Sequence, residues 1–247
     1  MNRRTALIGV GALAFAPGGA CGSPFHTEQL RGPTPRWADV EPEALASLPY
    51  ASIGSLGAWR GPQLTRHFGT AWICGPRRAA TAAHVIEDAL SHSLTGGEAL
   101  RLKLGFTHGG HPQQDIELSA AQLKSHPSAR SDPVYDIGVI DCALNGASLL
   151  GGVSQETTSD IFISGYPVLR RRPTYAGDVL VAHSGRAWRR EKYLIHDTDT
   201  TPGHSGSPMM RTRAGRLEAI GLHVAPDFGR DNRGIWINEE LALYLRS

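Results

Sequence analysis

Three short stretches hold residue types that could cooperate in breaking an acyl bond. The first is Gly203-His204-Ser205-Gly206-Ser207-Pro208, a serine among glycines in a tight turn. A serine hydroxyl is a poor nucleophile until a base lies within hydrogen-bond reach. The same turn can aim the backbone N–H groups of Gly203 and Ser205 at a developing oxyanion, where losing one donor typically costs about 10²–10³ in rate. The second is Thr81-Ala82-Ala83-His84, behind an apolar strand, whose imidazole titrates near neutrality and suits a general base. The third is Asp136-Ile137-Gly138-Val139-Ile140, an aspartate opening an apolar strand. Burying that carboxylate is costly without a partner, and a histidine N–H is a suitable one. Singly, each residue has a plain structural reading: His84 is one of 11 histidines, Asp136 could cap a turn, and Ser205 could be a loop serine. Their chain order, each in its own local motif, points to a base, its carboxylate and a nucleophile.

The elements that must position them are short. From Pro49 onward, apolar runs of three to six residues alternate with glycine, proline or polar clusters. Examples are Thr70 to Cys74, Ala99 to Leu104, Asp160 to Ile163, Val179 to Val181, Tyr193 to Ile195 and Ala219 to Leu222. Such runs read as strands, and their number predicts an all-β sandwich or barrel. Two helical pieces interrupt them: His84 to Leu90, and a C-terminal stretch from Asn238 to Leu245. In the second, Asn238 can cap the start, with Glu239 and Glu240 on the positive end of the dipole.

Composition narrows the class. Apolar residues at 40% and charged residues at 19% describe a globular chain. A net charge of +2 argues against a nucleic-acid binder held by phosphate neutralisation, and the Arg170-Arg171-Arg172 cluster reads as a solvated loop. No apolar run of the mature part is long enough to span a bilayer. Three cysteines allow at most one intrachain bridge, between Cys74 and Cys142, and two free buried thiols are an equal alternative. His108 and His111 lie close together, but no third ligand is near them, so neither a metal nor another cofactor is expected.

The chain start reads as an address. A basic opening at Arg3-Arg4, an apolar stretch from Ala6 to Ala16 and small residues at Gly18-Gly19-Ala20 form an export signal over residues 1–20, loosely of twin-arginine type. This predicts a secreted or periplasmic protein. Cys21 directly after the small residues resembles a lipoprotein processing site, an alternative that would leave a lipid anchor. Residues 21–47 read as a linker or pro-segment and 48–247 as the main domain, its two halves meeting near 145–160. A monomer is the default.

The three motifs resemble those of chymotrypsin-fold, or trypsin-like, serine proteases. Phe162-Ile163-Ser164-Gly165-Tyr166-Pro167, Asp197-Thr198-Asp199-Thr200-Thr201, Ala219-Ile220-Gly221-Leu222-His223 and Gly234-Ile235-Trp236-Ile237-Asn238-Glu239 resemble the bacterial glutamyl endopeptidase branch, in order. The resemblance covers about residues 48–247. It implies two six-stranded antiparallel β-barrels packed face to face, the active site in the cleft and a C-terminal helix. It also implies a peptide or protein substrate, with His84, Asp136 and Ser205 as the triad, and with Thr200 and His223 binding a glutamate side chain before the scissile bond. Asp199 stands against that last expectation. It matches the pocket-floor aspartate of trypsin-like enzymes that prefer arginine or lysine, and two carboxylates about 4 Å apart repel by roughly 4 kcal/mol at an effective dielectric near 20. If Asp199 pairs with a basic group instead, Thr200 and His223 decide. Pro226, which lacks an N–H, falls where these enzymes usually offer one to an extended substrate. A catalytically silent binding protein is the competing reading, although no triad member is missing.

Overall fold

The structure, a computed structural model, describes residue 30 and residues 35–153, 156–169, 175–226 and 231–247. The export signal, Cys21 and the Arg170 to Arg172 cluster lie outside them. Fourteen strands run in chain order: β1 Ala38–Asp39, β2 Ile53–Arg60, β3 Gln63–Gly75, β4 Arg78–Thr81, β5 Ala99–Leu104, β6 Gln114–Glu117, β7 Leu123–Ser125, β8 Gly138–Asp141, β9 Thr158–Gly165, β10 Val181–Arg190, β11 Tyr193–His196, β12 Pro208–Arg213, β13 Arg216–Pro226 and β14 Asn232–Trp236. Helix α1 spans Ala83–Ser91 and α2 spans Glu239–Arg246.

The strands form two all-antiparallel sheets. The first runs β6-β5-β2-β3-β4-β8-β7 and curls without closing among the described residues. The second runs β10-β11-β14-β13-β12-β9 and closes through β9 against β10, giving a six-stranded barrel. One half is therefore a closed barrel and the other a curled half-barrel, the two halves expected of this fold. Strand β1 lies beside the start of β10, pairing Ala38 with Ala182 and Asp39 with Val181. Residues 36–40, part of the stretch read as linker or pro-segment, thus pack onto the second barrel.

Continuous buried runs explain the first half. Ile53, Leu56, Trp72, Ile73, Leu102, Leu104, Ile137 and Ile140 are all fully buried. Burying a side chain of this size is worth about 1.5–3 kcal/mol, so these residues, most of them on β2, β3, β5 and β8, hold the sheet's shape. Cys74 and Cys142 are buried free thiols. Burial pushes Cys74 up to about 12 and Cys142 up to about 11, so both stay protonated and act as small apolar groups. Helix α2 begins as the sequence predicts, with Asn238 Oδ1 accepting the Leu241 N–H at 2.9 Å. No helix among the described residues is long and apolar enough to cross a membrane.

Candidate active site

Helix α1 starts directly after β4, on Ala82, which has no side chain able to cap it. Its open amides are satisfied from elsewhere: Asp136 Oδ1 accepts the His84 N–H at 2.9 Å, while Asp136 Oδ2 meets His84 Nδ1 at 2.7 Å. One carboxylate therefore caps the helix and orients the imidazole on its first turn. Asp136 does not open β8. It ends the 3-10 turn Pro133–Tyr135, two residues ahead of the strand, because a carboxylate inside the ladder would miss the α1 terminus.

Electrostatics follow from that contact. Burial of Asp136 disfavours its charge, but His84 and the helix amides outweigh this and hold the carboxyl below its ordinary range. Burial likewise works against a charged His84, yet the neighbouring Asp136 carboxylate raises it above the ordinary value of 6.5.

Ser205 sits in the turn before β12, and both halves hold it. From β3, Thr70 N donates to the Ser205 carbonyl at 2.9 Å and Thr70 Oγ1 donates to the Gly203 carbonyl at 2.8 Å. From β13, the His223 carbonyl accepts the Gly206 N–H at 2.8 Å. Glycine is required at two places in this contact. Gly206 has φ +89°, and a Cβ there would lie 2.1 Å from the Thr70 carbonyl; at Gly69 it would lie 2.8 Å from the Ser205 carbonyl and 2.7 Å from Val85. Of the turn's amides, His204 donates to Thr201 O and Ser207 to His204 O. Those of Gly203 and Ser205 donate to no acceptor among the described residues, so both remain available to an oxyanion.

The structure brings His84 and Asp136 together but does not join Ser205 to His84 by a hydrogen bond. Ser205 Oγ instead lies 3.5 Å from the Val224 carbonyl, a weak contact at that length. A register shift between His223 and Ala225 on β13 leaves Val224 out of the ladder. Val224 also shares with His84, Asp136 and Arg233 the lining of a cavity of about 300 Å³, so the residue that Ser205 Oγ contacts and the imidazole border one cavity.

The three specificity candidates have separate surroundings. Thr200 is buried, and its hydroxyl has no hydrogen-bond partner among the described residues. His223 Nδ1 lies 3.0 Å from His196 Nε2, and His196 Nδ1 lies 2.7 Å from Thr198 Oγ1. Burial, with the other histidines nearby, holds His223 well below its ordinary value, so it is neutral and one of its nitrogens must carry the proton. Asp199 is fully buried and turned onto Arg36: Oδ2 accepts the Arg36 backbone N–H at 2.9 Å and Nε–H at 3.1 Å, and Oδ1 accepts Nη2–H at 3.1 Å. His108 meets Asp178 at 2.5 Å, and no group of three or more His, Cys, Asp or Glu able to hold a metal occurs among the described residues.

Sequence reasoning missed His196 and Arg36. His196 ends the Tyr193 to Ile195 strand, and a histidine continuing a buried strand face was a readable signal. Arg36 had none, since nothing local ties it to a residue so far along the chain.

Known proteins resemble this chain. A glutamyl endopeptidase of Bacillus licheniformis is 28% identical over 186 residues, 70% of this chain and 56% of that protein. The chain thus spans little more than half the length of that curated relative. The structure of a Glu endopeptidase in complex with MPD superposes with a TM-score of 0.68 at 21% identity, covering 86% of this chain and 95% of that one. That likeness shows the chymotrypsin-type two-barrel fold. The model of the trypsin-like peptidase domain matches residues 69–222, from the strand ahead of His84 to the residue before His223. With most of its length covered by that match, the chain belongs to the trypsin-like peptidase domain family.

Proposed function

We propose that this chain is a serine endopeptidase that hydrolyses peptide bonds through an acyl-enzyme, with Ser205 as nucleophile, His84 as general base and acid, and Asp136 holding the imidazole. The observation that carries the reading is the 2.7 Å contact between His84 Nδ1 and Asp136 Oδ2, which leaves Nε2 to face the cleft. In the productive geometry, Ser205 Oγ exchanges its weak contact with the Val224 carbonyl for that nitrogen. Catalytic hydrogen bonds are often long before substrate binds and tighten in the complex. The free amides of Gly203 and Ser205 then receive the tetrahedral oxyanion. The basic, apolar and small-residue order at the chain start supports export.

For the residue before the scissile bond, the reading is glutamate. If Thr198 donates to His196 Nδ1, then His196 Nε2–H donates to His223 Nδ1, and His223 carries its proton on Nε2. A neutral donor and the unengaged Thr200 hydroxyl suit a carboxylate, whose charge strengthens both bonds.

The Ser205 to Val224 contact favours one other reading, a silent binding protein with the nucleophile parked away from its base. An organophosphate-type serine reagent separates the two. Covalent labelling of Ser205, with cleavage abolished in Ser205→Ala, is the expected result. A folded protein that neither labels nor cleaves favours the binding module, and cleavage surviving Ser205→Ala refutes the mechanism.

A further inference from the structure

We propose that Arg36 is a specificity-determining positioning residue, whose guanidinium cancels the charge of Asp199 behind the substrate pocket so that the pocket receives a carboxylate rather than a cation. This inference rests on the glutamate reading above and adds what sets the sign of the pocket.

Asp199 immediately precedes Thr200 and lies in the segment that leads into the Ser205 turn. A bare carboxylate there would repel a substrate glutamate and attract a lysine or arginine, as the sequence alone suggests. Arg36 meets both of its oxygens, forming the forked contact that suits guanidinium to carboxylate, while Nη2 also donates to the Asp197 carbonyl at 2.7 Å. The carboxylate is further fixed from its own backbone, where Asp199 N donates to His183 Nδ1 at 2.9 Å.

The segment carrying Arg36 is built into the barrel. Trp37 is buried, with its ring 5.1 Å from that of His204 and 5.8 Å from that of Tyr175. The next two residues are β1, and Val40 N then donates to the Leu180 carbonyl at 2.9 Å. A floppy arginine would lose much rotamer freedom on pairing, whereas one anchored at the following tryptophan is held before the contact forms. Stability alone does not call for the arrangement, because a buried ion pair is often no more stabilising than apolar residues of the same volume. Arg36 is 48% exposed, so solvent screens the pair and the predicted effect is tens-fold rather than thousands-fold.

The test measures kcat/KM on matched peptides with Glu, Gln or Lys before the scissile bond, for the wild type, Arg36→Ala, Arg36→Lys and Arg36→Ala/Asp199→Asn. The same four backgrounds carrying Ser205→Ala are titrated with the matching product peptides, so that the pocket is read even where turnover is absent. The Glu-to-Gln preference should fall about 30-fold in Arg36→Ala, with Lys gaining. Arg36→Lys should keep most of the preference, and the double variant should regain it. Should Arg36→Ala fail to fold, Arg36→Gln, which removes the charge but keeps most of the side chain, takes its place with the same expected loss. A Glu preference in the wild type that is unchanged in Arg36→Ala, or lost equally in the double variant, overturns this inference and leaves the glutamate reading standing. A wild type that prefers Lys overturns both.

Discussion

The two halves of the molecule bury different chemistry. The half-barrel that presents His84 and Asp136 has an interior of Ile, Leu, Val, Ala and Trp, with a few hydroxyls and Lys103 among the buried polar groups. The closed barrel buries His196, Thr198, Asp199, Thr200, His204, His223 and Asn232. The first half behaves as a stiff mount for one imidazole and one carboxylate. The second spends its interior on hydrogen-bond donors and acceptors whose directions must be set against one another. Apolar packing holds an imidazole in place; a polar interior needs its hydrogen bonds oriented.

The contrast can be broken most sharply at the mount. Asp136→Asn should lower kcat about 10⁴-fold with KM little changed, by presenting His84 in the wrong tautomer. Stopped assays on any cleavable peptide would check it, and a loss confined to KM would place Asp136 in binding instead. Next in size is the apolar interior: Trp72→Ala should cost about 3–5 kcal/mol in denaturant unfolding. Buried histidines make a similar demand in acid. Burial pushes His67 down to about 4 and His204 down to about 3. Each is neutral when folded but protonates near 6.5 when unfolded, so the unfolded chain binds more protons as pH falls. Stability should therefore be full above about 6.5 and drop by on the order of 3 kcal/mol per histidine toward pH 4 and below, measured by unfolding across that range. Phe at position 67 should flatten part of the drop if it folds.

Smaller effects belong to the titration of the mount and to the polar interior of the closed barrel. The kcat/KM profile should lose activity as pH falls through a His84 value above 6.5, since the base must be neutral, and Asp136→Asn should move that limb to lower pH. His196→Phe should remove the partner of His223 Nδ1 and reduce the Glu-to-Gln preference about tenfold, leaving the His84 to Asp136 contact intact. A preference unchanged by His196→Phe would mean that His223 needs no partner to orient its proton.

Much of this was legible from residue order. The Thr81 to His84 stretch, the Asp136 run and the Ser205 turn each have a plain structural reading alone, and became legible through their order along the chain. The C-terminal helix was equally plain from Asn238 and the two glutamates. Harder to read were features without a local sign. The position of Asp136 ahead of β8, rather than in it, follows from a helix end far away in sequence. The bulge at Val224 arises from how β13 and β14 are matched, which no single segment records.

By itself, the sequence determined the class of fold and the three groups suited to acyl transfer, since turn chemistry, strand periodicity and side-chain type act over a few neighbouring residues. Only the tertiary structure decided the state of Asp199. Read along the chain, it is a free carboxylate beside Thr200; in space, a guanidinium from the far end of the chain covers it. Charge acts through distance rather than through sequence separation, so the partner of Asp199 became visible only once the chain had folded.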